Sequence, residues 1–128
     1  MAVYTFDYDY VYSPAAPVVE VEISTERSAE TRLVSALLDS GADATLLPTD
    51  LLTQLKAQPV DVRNLRTVTG ARIAVKLYRV QLQIGPHLLR NIRAVGIAPT
   101  EGAIVGRDVL NQLTVTLDGP AMVSEIQG

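Results

Sequence analysis

The stretch Ala36-Leu37-Leu38-Asp39-Ser40-Gly41-Ala42-Asp43-Ala44-Thr45 constrains this chain more than any other. An apolar run with the character of a buried strand delivers one carboxylate into a tight Ser-Gly turn. Such an aspartate has a plain structural use, accepting a backbone N–H of its own turn. Gly41 lets the backbone adopt conformations closed to bulkier residues and lets other groups approach closely. Leu37 and Leu38 place the base of the turn in an apolar, low-dielectric setting, where hydrogen bonds are stronger. Much later, Ala103-Ile104-Val105 forms a second apolar run that ends in Gly106-Arg107-Asp108. Asp-Ser-Gly occurs once in the chain.

Around these runs the pattern is that of short strands. Val18 to Ile23 alternates, and Arg32 to Leu38 forms the next strand. Asn64 to Ile84 reads as two strands joined by a Thr69-Gly70 turn, with a slip in the alternation near Tyr78. Gly85-Pro86 makes a turn, Leu88 to Ala98 another strand, Pro99 to Gly102 a loop, and Thr114 to Leu117 a last strand. Leu47, Leu51, Leu52 and Leu55 lie three or four apart, and Thr49 and Asp50 beside Pro48 are residue types that open helices. A short helix is therefore expected from Pro48 to Leu55, and a second from Arg107 to Leu113. Many short strands with two small helices specify a mostly-β barrel or sandwich.

The N-terminus has its own pattern. Tyr4, Phe6, Tyr8, Tyr10 and Tyr12 occupy every second position, and Tyr78 is the only aromatic elsewhere. This predicts an extended strand with one aromatic face, ended by Ser13-Pro14-Ala15-Ala16-Pro17. Such a strand needs a cover, either the domain's own core or a partner subunit or cleft.

Composition removes many function classes. The chain of 128 residues suffices for one domain. Its net charge of −3 and pI of about 5.0 speak against nucleic-acid binding, which normally needs a basic face. Without cysteine there are no disulfides, catalytic thiols or thiolate metal sites. The single histidine, His87, follows a turn and reads as a surface residue. No serine nucleophile elbow and no Walker or Rossmann glycine pattern occurs. Asp7 and Asp9 read as solvated strand positions, and Asp50, Asp61, Asp108 and Asp118 as caps or turn residues. No run reaches the roughly 18 apolar residues of a membrane span. The N-terminus lacks the basic start and apolar core of a signal peptide. A soluble, cytoplasmic protein without nucleic-acid or membrane partners is expected.

The run from Ala36 to Thr45 resembles the active-site segment of the retropepsins, the single-domain aspartic proteases. Ile104-Val105-Gly106-Arg107-Asp108-Val109-Leu110 resembles that family's second signature. The likeness covers roughly Val18 to Asp118 and implies a mostly-β, retropepsin-like closed barrel or sandwich. One short helix would follow the active-site region and another lie near the C-terminus. The divisions implied are an aromatic arm (1–14), a protease domain (15–119) and a C-terminal tail (120–128).

By this resemblance Asp39 is the catalytic aspartate, and Ser40, Gly41 and Arg107 support its loop. Gly41, Ala42 and Asp43 would contact substrate, with Asp43 binding substrate backbone or pairing with Arg107. Val68, Thr69, Gly70 and Ala71 would form the tip of a substrate-covering flap, although the segment is poorer in glycine than viral flaps. A chain with one Asp-Ser-Gly supplies half of an aspartic dyad, so a homodimer acting on peptide or protein substrates is implied, without metal or organic cofactor. A dimeric peptide- or protein-binding module on the same fold, without catalysis, is the alternative.

Overall fold

A computed structural model describes residues 3–99 and 102–127. Thr100 and Glu101, in the loop expected between Pro99 and Gly102, lie outside the described residues, as do Met1, Ala2 and Gly128.

The architecture is a closed barrel. The chain runs through β1 (Tyr4–Asp7), β2 (Val18–Ser24), β3 (Arg32–Leu38), β4 (Leu46–Pro48) and α1 (Thr49–Gln54). It continues through β5 (Gln58–Arg66), β6 (Arg72–Ile84), β7 (His87–Ile97) and β8 (Ala103–Val105), and ends with α2 (Arg107–Leu110), β9 (Thr114–Asp118) and β10 (Val123–Gln127). The main sheet has the order β2-β3-β8-β4-β7-β6-β5, and β2 also pairs with β6. That extra pairing closes six strands into a ring and leaves β5 outside it, paired among the described residues only with β6. β6 can serve both neighbours because it is thirteen residues long. Arg72 to Arg79 pairs with β5, whereas Gln81 to Gln83 pairs with β2.

Alternation explains the core. Val19, Val21 and Ile23 of β2 point inward and are buried, while Glu20 and Glu22 between them are exposed. Val80, Leu82 and Ile84 of β6 do the same, joined by Leu52 and Leu55 from the helical segment. α1 starts one residue later than expected because Pro48 belongs to β4, beside Ile97 of β7, while Leu47 before it pairs with Gly96. The leucine spacing thus straddles a strand and a helix. α2 likewise spans one turn and ends before Leu113.

Two expectations are corrected at the termini. The aromatic strand stops at Asp7, because the Asp9 backbone pairs with Ala16 and its Oδ1 accepts the Val11 N–H at 2.9 Å. Phe6 packs against the core, whereas Tyr10 is 72% exposed, so no continuous aromatic face forms. Residues 120–128, expected as a tail, contain β10, the central strand of a second sheet of order β1-β10-β9. Ser124 and Ile126 in it are fully buried. The segment is a strand because β1, from the opposite end of the chain, pairs with it from Tyr4↔Ile126 to Asp7↔Val123. β1 is thus spent within its own chain. The Tyr4 ring lies over Gly85, where an added Cβ would come within 2.8 Å of it.

His87, expected at the surface, opens β7 half-buried, and its Nε2 is buried without a partner among the described residues.

Candidate active site

Asp39 is the first residue after β3. β3 runs parallel to β8, with Leu38 beside Val105, so the two apolar runs noted in the sequence are neighbouring strands. The pairing carries one step further: the Asp39 N–H donates to the Val105 carbonyl at 3.0 Å. The chain then turns, with the Ala42 N–H donating to the Asp39 carbonyl at 3.2 Å. Asp39 Oδ1 accepts the Gly41 N–H at 2.9 Å, which fixes the carboxylate on its own turn. Asp39 is half-buried, and its Oδ2 makes no hydrogen bond among the described residues.

Gly41 serves close approach here rather than an unusual backbone angle. A Cβ would sit 3.1 Å from Asp39 Oδ1, and no left-handed φ occurs at this position. The expectation of a special backbone conformation is therefore replaced by one of close approach.

Residues after β8 hold the turn from behind. The Arg107 N–H donates to the Ala42 carbonyl at 2.9 Å, and Arg107 Nη1 to the Ser40 carbonyl at 2.7 Å. Arg107 Nη2 forms an ion pair with Asp43 Oδ1. Asp43 is almost fully exposed, so this pair adds under about 1 kcal/mol of stability. Its effect is to orient the loop. Ser40 is exposed, and its hydroxyl finds no partner in its own chain among the described residues.

Deeper lies a second clasp. Thr45 is fully buried. Its hydroxyl donates to Asp108 Oδ1 at 2.9 Å, and its N–H donates to Asp108 Oδ2 at 3.1 Å. Thr45 Oγ1 in turn accepts the Gly106 N–H at 3.2 Å. Asp108 is thus more than the cap expected from sequence. Its Oδ1 does accept the Val109 N–H at 3.0 Å at the start of α2, but both its oxygens also bind Thr45. Gly106 fits between the strands only because it lacks a side chain, since a Cβ would lie 2.5 Å from the Ala44 carbonyl oxygen. A carboxylate turn at the end of one apolar strand is thereby locked to a glycine turn at the end of another.

The model of the retroviral aspartyl protease family matches residues 13–118. The chain belongs to that family. It is an aspartic peptidase of the retropepsin type, and its fold agrees. The EIAV protease, solved with an inhibitor, is similar with a TM-score of 0.59 at 23% identity, over 76% of this chain and 86% of that one. A retropepsin-like aspartic protease from Rickettsia conorii is similar with a TM-score of 0.61 at 13% identity, over 98% of this chain and 90% of that one. Identities this low speak to fold alone. No curated protein matches the sequence. Both β1 and β10 lie outside the family match.

In this retropepsin the structure brings Asp39, Ser40, Gly41, Ala42, Asp43 and Arg107 into one hydrogen-bonded unit. The other expected residues stand apart from it. Val68, Thr69, Gly70 and Ala71 form the turn between β5 and β6, closed by the Thr67 N–H on the Ala71 carbonyl at 2.8 Å. Gly70 there has φ +87°, a conformation that favours glycine. All four are exposed, and their hydrogen bonds stay within the turn. The hairpin starts earlier than Asn64, since β5 begins at Gln58, and polar Gln58, Asp61 and Arg63 hide its strand pattern. Among the described residues no group of three or more His, Asp or Glu could hold a metal ion.

Thr45→Val is expected to lower stability by about 1–3 kcal/mol, because it leaves the buried Gly106 N–H without its acceptor and takes one of two donors from Asp108 Oδ1. Thr45→Ser keeps the hydroxyl and should unfold close to wild type. Urea midpoints at constant slope measure both.

Proposed function

We propose that two copies of this retropepsin meet with their Asp39 turns face to face and cleave peptide bonds as a homodimer. The observation that carries the reading is a single Asp39 turn, clasped by Arg107 and by Thr45–Asp108, with one carboxylate oxygen and the Ser40 hydroxyl unengaged among the described residues. One turn per chain is half of an aspartic dyad, and two-fold symmetry supplies the other half. Two carboxylates about 3 Å apart cannot both ionise and so share one proton. One takes a proton from water as its oxygen adds to the peptide carbonyl carbon, and the other donates toward the carbonyl oxygen. When the C–N bond breaks, the proton passes to the leaving nitrogen. The Ser40 hydroxyls link the two turns across the axis.

Further support comes from β9. It lies at the edge of its sheet, so its outer side is unpaired among the described residues, and Leu117 on it is 56% exposed. An edge of this kind accepts a strand from a second copy. The β5–β6 hairpin projects beyond the ring and can close over an extended peptide, which excludes water and positions the bond.

Light scattering of the purified protein tests the assembly. Twice the 13.8 kDa chain mass is expected. Specific activity should fall on dilution together with that mass. A monomer that cleaves peptides at every dilution would overturn the reading.

A further inference from the structure

The mild net charge of this chain hides a segregation. Residues 58–97 carry seven of the eleven Lys and Arg but one of the fourteen Asp and Glu. These residues form β5, β6 and β7. The register reveals a cost, because Arg66 lies directly opposite Arg72, and Arg79 directly opposite Arg93. Like charges directly opposed destabilise a strand pair.

One face concentrates this charge. Arg79 and Arg93 share the face of the Leu77–Val95 pair, and Arg63, opposite Val75, joins them by alternation. A cavity of about 300 Å³ on this face is lined by Arg63, Arg90 and Arg93 together with Asp43 and Asp108. The face continues into a hollow of about 220 Å³ bordered by Arg27, Arg79 and Arg90, with one carboxylate, Glu26, on its rim. Arg79, Arg90 and Arg93 form no salt bridge among the described residues, and Arg63 reaches only exposed Asp61 at 3.5 Å. The carboxylates in the cavity are engaged elsewhere, Asp43 by Arg107 and Asp108 by Thr45.

We propose that this arginine face is a specificity element of the substrate cleft, binding Asp or Glu side chains of the peptide at positions removed from the scissile bond. The inference rests on the peptidase reading above. Asp43 and Ala44 of the active-site loop form the cavity wall, whereas Asp39 does not reach it. A peptide leaving the dyad along that loop therefore enters the cavity with side chains distant from the bond. A substrate carboxylate there meets guanidinium forks suited to bidentate pairing and relieves the repulsion between opposed arginines. Acidic peptides are thus the substrate class.

The test uses one cleavable peptide made with Glu, Gln or Lys at each distal position. Wild-type kcat/KM should be on the order of tenfold higher for Glu than for Gln, mostly through KM, and lowest for Lys. The preference should shrink in about 1 M salt, where the screening length is about 3 Å. Arg90→Glu and Arg93→Glu should each turn the preference toward Lys, a reversal that mere loss of folding cannot produce. Fluorescence anisotropy of the labelled peptides on Asp39→Asn protein reads binding without chemistry. Charge-selective binding there with no cleavage by wild type keeps the inference and removes the peptidase reading. Cleavage with equal kcat/KM for all three peptides does the reverse. Displacement of the Glu peptide by a single-stranded oligonucleotide at equal charge concentration overturns the inference in favour of a nucleic-acid surface.

Discussion

Asp39→Asn is expected to abolish peptide cleavage while leaving the protein folded. In a homodimer one substitution removes both carboxylates, so neither a base toward water nor a proton donor toward the carbonyl remains. General acid–base assistance contributes about 10² to 10⁴-fold in a typical enzyme, and losing both partners should cost at least the upper figure. The fold should tolerate the change because the side-chain hydrogen bond that Asp39 accepts from the Gly41 N–H suits an amide oxygen equally well. Incubating wild type and variant with a diverse peptide library from acid to neutral pH, with fragments read by mass spectrometry, measures the effect. Thermal unfolding of the two proteins should differ little. Equal cleavage by both would mean that Asp39 is not the catalyst. Silence from both, with a dimer in solution, would point to a peptide-binding module.

Gly106→Ala should have the largest effect on stability. Its Cβ would lie 2.5 Å from the carbonyl oxygen and 2.6 Å from the carbonyl carbon of Ala44, and 3.0 Å from the carbonyl oxygen of Ala42. All three are backbone atoms, so no side-chain rotation relieves the overlap. Gly106 is buried, and its N–H and the Arg107 N–H hold Thr45 and Ala42. Moving β8 away to make room would therefore break both clasps of the Asp39 turn. A loss of about 3 kcal/mol or more is expected, at the upper end for overpacked cores. Activity should fall even where the variant remains folded, because the turn is displaced. Urea unfolding and kcat/KM on one peptide separate the two losses. An alanine variant with wild-type stability would show that the two strands are not held this closely.

Much of the site could be read from the chain because it is local. Asp39 through Thr45 are consecutive, and their turn depends on an apolar strand followed by Ser-Gly, which needs no distant information. Arg107 was legible through resemblance, since its spacing from Asp39 carries no physical signal. Asp108 reads only as a cap in the sequence because its bond to the Val109 N–H is local, while its bonds to Thr45 span 63 residues. The place of Thr45 at the end of the active-site pattern was the available clue. The start of the first helix differs for another reason, because Pro48 suits a helix opening locally while β4 claims it through pairing with β7. The arginine face is not visible in the net charge, which averages over the chain, whereas register decides which charges stand together.

Local residue patterns specify the strand-rich class, the site of the carboxylate turn, both short helices and the hairpin tip at Gly70. These follow from periodicity and turn chemistry within a few residues, where backbone geometry dominates. Long-range packing sets the ring closure through β2 and β6, the membership of β10 in a sheet with β1, and the burial of Thr45 against Asp108. Each joins segments far apart in the chain, and such pairings are selected by the fit of whole surfaces once the barrel closes, not by any preference written in the local residues.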